Sequence, residues 1–151
     1  MARHSSTGAA MTREETNRFY DRWHRAWAAQ DIGAISNLYA ADCKVTSPMF
    51  GAMQGRAAVT ESFKRLFKVF PDLRMKTDQL IIDGDRVAIV FSTTATHSAE
   101  FMGLPATGRK AQVSGVLVQK LDDGEVEEEL RLYDFTALLV QVGVLRAKVG
   151  H

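Results

Sequence analysis

At 151 residues the chain is long enough to bury one hydrophobic core and too short for two ordinary domains. With 46% hydrophobic and 25% charged residues it reads as globular rather than disordered or fibrous, and 19 basic against 18 acidic side chains leave a net charge of +1, with no global field to favour nucleic acid. The single cysteine, Cys43, cannot form an internal disulfide, and no run of about 18 apolar residues could span a bilayer. A cytoplasmic location with no membrane partner is therefore expected.

Residues 1–11 are small and polar and read as a disordered tail, 12–146 as one domain, and 147–151 as a short C-terminal tail. Thr12 and Glu15 have the spacing of a capping box, which predicts a helix carrying Phe19, Trp23, Ala26 and Trp27 on one face. Asp31 can cap a shorter helix with Ile35, Leu38 and Tyr39, followed by an extended stretch from Asp42 to Pro48 and then a loop ended by Gly55. Val59, Phe63, Leu66, Phe67 and Phe70 recur at helical spacing up to Pro71. From Leu73 the period changes to two, and Asp83-Gly84-Asp85 and Asp122-Asp123-Gly124 each read as a hairpin turn. The strands they join are Leu73 to Ile82 with Val87 to His97, then Lys110 to Leu121 with Glu125 to Phe135. Thr136 can cap a terminal helix ended by Gly143. Helices first and an antiparallel meander after them make an α+β plan, with helices covering one face of the sheet.

Strand parity points to candidate chemistry, because residues two apart face the same way. In the last strand Val126, Leu130, Leu132 and Asp134 fall on one face, so Asp134 continues an apolar row as a candidate acid/base. Asp134 also precedes Phe135 and Thr136, where it can instead cap the terminal helix, and spacing leaves both roles open. Val87, Ile89, Phe91, Thr93, Ala95 and His97 form a second row, ending in a histidine that could stabilise an enolate or simply face solvent. The acidic run Glu127 to Glu129 reads as solvated. No metal-ligand spacing, HExxH motif or G-x-S-x-G elbow occurs, so neither a metal site nor a serine nucleophile is expected. Met49, Phe50, Phe101 and Met102 sit in predicted loops that could close on a hydrophobic ligand, with Trp27, Tyr39 and Phe67 as further pocket wall.

Several segments carry a family resemblance: Phe19-Tyr20-Asp21, Leu38-Tyr39-Ala40-Ala41-Asp42-Cys43, Phe70-Pro71-Asp72-Leu73, the stretch from Thr96 to Arg109, and Tyr133-Asp134-Phe135 with Leu138 to Val144. In these the chain resembles the SnoaL-like polyketide cyclase (ester cyclase) family of the nuclear-transport-factor-2-like superfamily. The resemblance implies a cone-shaped fold, a curved antiparallel sheet wrapped around N-terminal helices with an apolar pocket. It also implies no cofactor, a small hydrophobic or polycyclic substrate and a homodimer or homotetramer. By the same resemblance the activity is aldol-type ring closure of a polyketide-like ester, with Asp134 as acid/base and His97 as the pocket histidine. Alternatives within the fold are an epoxide-opening or isomerase-type enzyme and a non-catalytic binding protein. The chain departs from many relatives at Thr46, where they carry His, and at Leu130, where they carry Trp; both positions are expected to touch substrate.

Overall fold

The computed structural model describes residues 11–146. The two tail segments expected from sequence otherwise lie outside the described residues, but Met11, which was assigned to the first of them, packs half-buried against the core. The first helix, α1 (Arg13–Ala28), opens on the expected capping box, with Thr12 accepting from the Glu15 backbone N–H. Asp31 caps the short α2 (Ile32–Ser36). Strand β1 (Tyr39–Ser47) starts three residues earlier than expected, and β2 (Gly51–Gln54) forms where the sequence suggested only a loop. Then come α3 (Arg56–Val69), β3 (Arg74–Asp83), β4 (Arg86–Thr96), β5 (Lys110–Asp122), β6 (Glu125–Tyr133) and α4 (Phe135–Val142). Among the described residues no helix is long and apolar enough to cross a membrane.

The six strands form one curved, unclosed sheet in the order β2-β1-β6-β5-β4-β3. The β3-β4-β5-β6 meander is antiparallel as the turn signals suggested, while β1 joins β6 in parallel. Phe19, Tyr20 and Trp23 of α1 and Val59, Phe63 and Phe67 of α3 are buried against Val87, Ile89 and Leu117 of the sheet, which places the main core between helices and sheet. A second cluster of Phe70, Phe101, Ala111, Leu138, Leu139 and Val142 closes the other end under α4. Burying an aromatic or aliphatic side chain is worth about 1.5–3 kcal/mol, so these two layers dominate the folding energy.

One irregularity in β6 decides what the sheet presents to its interior. Lys120 pairs with Glu128 while Leu121 pairs with Val126, so a single step along β5 faces two steps along β6. The extra residue, Glu127, makes a bulge, and a bulge switches the facing of every residue beyond it relative to those before. Val126 is fully buried, yet Leu130 and Leu132 are 41% and 48% exposed on the outer face. Glu129 and Arg131 are the buried ones. The expectation that Val126, Leu130, Leu132 and Asp134 form one inward row is therefore corrected: uninterrupted alternation was assumed across a bulge.

At the rim of the sheet Gly115 has a steric duty. A Cβ there would run into the Leu132 carbonyl oxygen, the Tyr133 Cβ and the Phe91 ring, so glycine lets β5 and β6 close while Tyr133 and Phe91 keep their places.

Candidate functional site

Between the helices and the inner face of the sheet lies a cavity with about 100 Å³ of open space. Its wall is mostly apolar, with Phe63 from α3 and Phe91 and Leu117 from the sheet. Of the lining residues only Glu129 and Arg131 carry charge, and both come from β6 just beyond the bulge. A wider groove of about 570 Å³ adjoins it, with Met49, Phe50, Leu66 and Phe70 as common wall, and carries Arg65 and Lys68 of α3 at its edge.

Glu129 and Arg131 are the centre of a buried polar network. The Arg131 Nε donates to Glu129 Oε2 at 2.8 Å. The Tyr39 hydroxyl donates to the same carboxylate, 2.8 and 2.9 Å from its two oxygens, and the Gln119 amide donates to Oε1 at 2.6 Å. Gln119 is oriented in turn by Tyr20, whose hydroxyl donates to its side-chain oxygen at 2.7 Å. With Glu129 3% and Arg131 8% exposed, the pair stands in low dielectric, where an unpaired charge would cost several kcal/mol. The carboxylate thus accepts from three donors, and its role is to hold the guanidinium in place.

The titrating groups follow from this arrangement. Burial alone would favour loss of the Arg131 proton, but the Glu129 charge outweighs it and holds the guanidinium more firmly protonated than usual. Burial pushes the hydroxyls of Tyr20 and Tyr39 well above the ordinary tyrosine range, and the Glu129 charge adds to the effect. Tyr133, on the cavity wall, is also pushed up by burial, although Arg131, the Met49 backbone N–H and the Ser47 hydroxyl pull the other way. The Cys43 thiol, buried and beside Glu129, is raised too, which fits core filler and not a nucleophile.

The residues expected from sequence fall into three groups. Trp27, Tyr39, Met49 and Phe50 line the cavity, as do Phe91, Thr93 and Ala95 of the second row. Phe101 and Met102 line the adjoining groove instead, while Phe67 is a core residue packed edge-on against Trp27 at 5.6 Å. Asp134, His97, Thr46 and Leu130 do not line the cavity.

Each of these four has a physical reason. Asp134 is exposed and caps α4, accepting from the Ala137 backbone N–H at 2.8 Å, which is one of the two roles its spacing left open; Thr136, the other candidate cap, lies inside the helix. His97 is fully buried, but behind the Phe70 and Phe101 rings, with Nδ1 accepting from the Thr107 backbone N–H at 3.3 Å and 2.8 Å from its hydroxyl. Thr46 and Leu130 are register partners across the parallel β1–β6 pair, both exposed. The two departures from the family pattern are therefore neighbours on the outer face and leave the cavity shape untouched.

Glu129 was read as solvated with the rest of the run from Glu127, yet both Glu127 and Glu129 are buried, and Arg131, Tyr133, Gln119 and Tyr20 were given no role at the site. The signal available was the pair Glu129 and Arg131 at a spacing of two, opposite charges side by side on one strand face; without the bulge it pointed outward. Among the described residues no group of three His, Cys, Asp or Glu side chains is arranged to hold a metal ion.

A curved sheet folded over helices around an apolar cavity with one polar side is the nuclear-transport-factor-2-like, or ketosteroid isomerase-like, architecture. A protein of that fold from Catenulispora acidiphila superposes with a TM-score of 0.69 at 19% identity, covering 83% of this chain and 92% of the other. The model of SnoaL-like polyketide cyclases matches residues 17–142, and the chain belongs to that family. AclR from Streptomyces galilaeus, named as a hydroxylase, is 27% identical with a TM-score of 0.79, covering 90% of this chain and 89% of its own. A protein named as a SnoaL-like polyketide cyclase from a Jannaschia species shares 21% identity with a TM-score of 0.79, covering 91% and 99%. No curated protein matches the sequence.

Two measurements test this site. Removing one partner of a buried ion pair costs about 3–5 kcal/mol, whereas replacing both by apolar groups costs much less. Arg131→Met should therefore lower stability by about 3–5 kcal/mol in a denaturant titration, and Glu129→Leu in the same chain should recover most of it; additive losses would show that the two do not act as a pair. Secondly, all three tyrosines are raised above the ordinary value of 10.0. Above pH 10 the unfolded chain then binds fewer protons than the folded one, so the stability present below pH 10 is lost as pH rises. Tyrosinate absorbance should appear together with loss of circular dichroism, and a tyrosine ionising near pH 10 in folded protein would contradict the assignment.

Proposed function

We propose that the protein is an enzyme that closes a ring in a polyketide-like molecule by an intramolecular aldol-type reaction, using its own side chains and no cofactor. The observation that carries this reading is Arg131, the one cation among the lining residues of a mostly apolar cavity, held there by buried Glu129. A 1,3-dicarbonyl segment folded into the cavity presents its enol carbon to a second carbonyl of the same molecule. The new carbon–carbon bond forms as that carbonyl becomes an alkoxide, and the guanidinium stabilises the charge growing on its oxygen. The enol oxygen gives up its proton and reverts to a carbonyl, while the alkoxide takes a proton and becomes a hydroxyl. Tyr133, whose hydroxyl is neutral at pH 7 and can both accept and donate, is the group on the wall suited to relay that proton. The reaction is thus an isomerisation that leaves the protein unchanged. Membership of a cyclase family supports the reading. The relative named as a hydroxylase supports only that the same fold serves more than one reaction.

A second reading, a non-catalytic binding protein, draws on the same network, since the one carboxylate on the cavity wall, Glu129, is engaged by three donors of the protein itself. Single-turnover assays on a linear aromatic polyketide distinguish the two. Tyr133→Phe should lower the rate by about 10²- to 10⁴-fold, the usual contribution of a proton-transferring group, with folding intact. Asp134→Asn should leave the rate within about twofold, because that carboxylate only caps a helix. Full activity of Tyr133→Phe or collapse of Asp134→Asn would return the chemistry to the helix cap, and ligand bound but recovered unconverted would favour the binding protein.

A further inference from the structure

The groove beside the cavity carries positive charge that has no partner. Arg65 and Lys68, three residues apart on one face of α3, both line it, and both are exposed. Among the described residues neither forms an ion pair or a side-chain hydrogen bond, whereas their neighbour Lys64, which does not line the groove, is paired with Glu61 at 3.0 Å. Lys68, in the last turn of α3, offsets the negative end of the helix dipole, a role that Arg65 one turn earlier does not share. The acid among the lining residues is Glu100, and it is already engaged, accepting from the Gly103 backbone N–H at 2.8 Å. The groove is therefore left with an excess of positive charge on its α3 side.

The rest of the lining is mainly apolar and partly open to water. Phe50 comes from the turn between β1 and β2, Met102 from the loop between β4 and β5, and Phe135 from the start of α4. Met102 is 60% exposed and both phenylalanines are half-buried. At about 570 Å³ the groove has the size of a small-molecule site, for which about 300–1,000 Å³ is usual. Two cations one helical turn apart can share one acidic group. Inorganic phosphate would meet them but leave the apolar lining uncovered, and a hydrocarbon would cover the lining but leave the cations unpaired. A molecule with an apolar body and one anionic end does both, and because that end stays at the exposed edge its charge keeps much of its hydration.

We propose that the groove beside Arg65 and Lys68 is a binding site for small amphipathic anions, apolar molecules that end in an acidic oxygen group. It is a second ligand site, next to the cavity and different from it in chemistry, and it does not rest on the reaction assigned to the cavity.

The test is fluorescence titration, at neutral pH and low ionic strength, with two dyes built on the same pair of ring systems: 1-anilinonaphthalene-8-sulfonate, which is anionic, and N-phenyl-1-naphthylamine, which lacks the sulfonate. Wild-type protein should bind the sulfonate about three- to tenfold more tightly, the worth of two exposed ion pairs. Raising the salt from about 0.01 M to about 0.5 M should remove most of that preference, since it shortens the reach of a charge from about 30 Å to a few ångströms. Arg65→Gln and Lys68→Gln together should bring the sulfonate to the affinity of the uncharged dye and leave the latter within about twofold. Lys64→Gln, on the same helix but outside the groove, should change neither dye. All three positions are exposed, so the melting temperature of each variant should match wild type. Equal affinity for the two dyes, a sulfonate preference indifferent to salt, or no binding of either dye would overturn the proposal. So would the same loss in Lys64→Gln, or a preference that survives the double substitution, as it would if the sulfonate lay against Arg131 in the cavity. Turnover enters none of these readouts, so failure of the cyclase reading and failure of this site are seen separately.

Discussion

A carboxylate and a guanidinium two residues apart on β6, both turned into a greasy interior, are the constraint around which the rest of this protein is arranged. Glu129 is tolerable there only because Arg131, Tyr39 and Gln119 all donate to it, and Gln119 keeps its orientation because Tyr20 of α1 reaches it from the opposite layer. The network therefore ties the first helix, the first strand and the last two strands together through hydrogen bonds that cannot be exchanged for water. In a low dielectric a fully satisfied network of this kind fixes geometry more strictly than apolar packing does, and a partly satisfied one is costly. Both members of that pair also line the cavity, so the pair that organises the fold supplies the two charged groups among its lining residues.

Much of the architecture was legible in the sequence because it rests on local signals. The capping box at Thr12, the helical repeat from Val59 to Phe67 and the Asp-Gly turns at 83–85 and 122–124 each involve residues near one another in the chain, and each appears where it was expected. The β4 row was read correctly up to Ala95, since no bulge interrupts it and Phe91, Thr93 and Ala95 reach the cavity, while His97 lies past the strand's end and does not. Strand β2 was missed because a four-residue edge strand has too little pattern to stand out from a loop.

The β6 face was misread for a geometric reason. A β-bulge leaves no mark in residue composition, and its single extra residue reverses the facing of everything that follows. With Glu127 counted as an ordinary strand residue, Leu130 and Leu132 became cavity wall and Asp134 the acid at its end. With Glu127 in the bulge, the two leucines are outside, Asp134 caps α4, and the charged pair is inside. The burial of Glu129 depends on Tyr39 of β1 and Gln119 of β5 as well as on its neighbour Arg131, and no local pattern contains the first two.

Family membership narrows the chemistry without choosing the reaction, and in this chain the choice falls to the few polar groups that the bulge turns inward. A crystal structure of the protein with 2-acetonaphthone tests that claim most directly. The account predicts the rings inside the cavity against Phe63 and Phe91, with the ketone oxygen within hydrogen-bond distance of the Arg131 guanidinium. Density for the ligand at the α4 cap beside Asp134, over a closed cavity and an Arg131 turned to solvent, would contradict it.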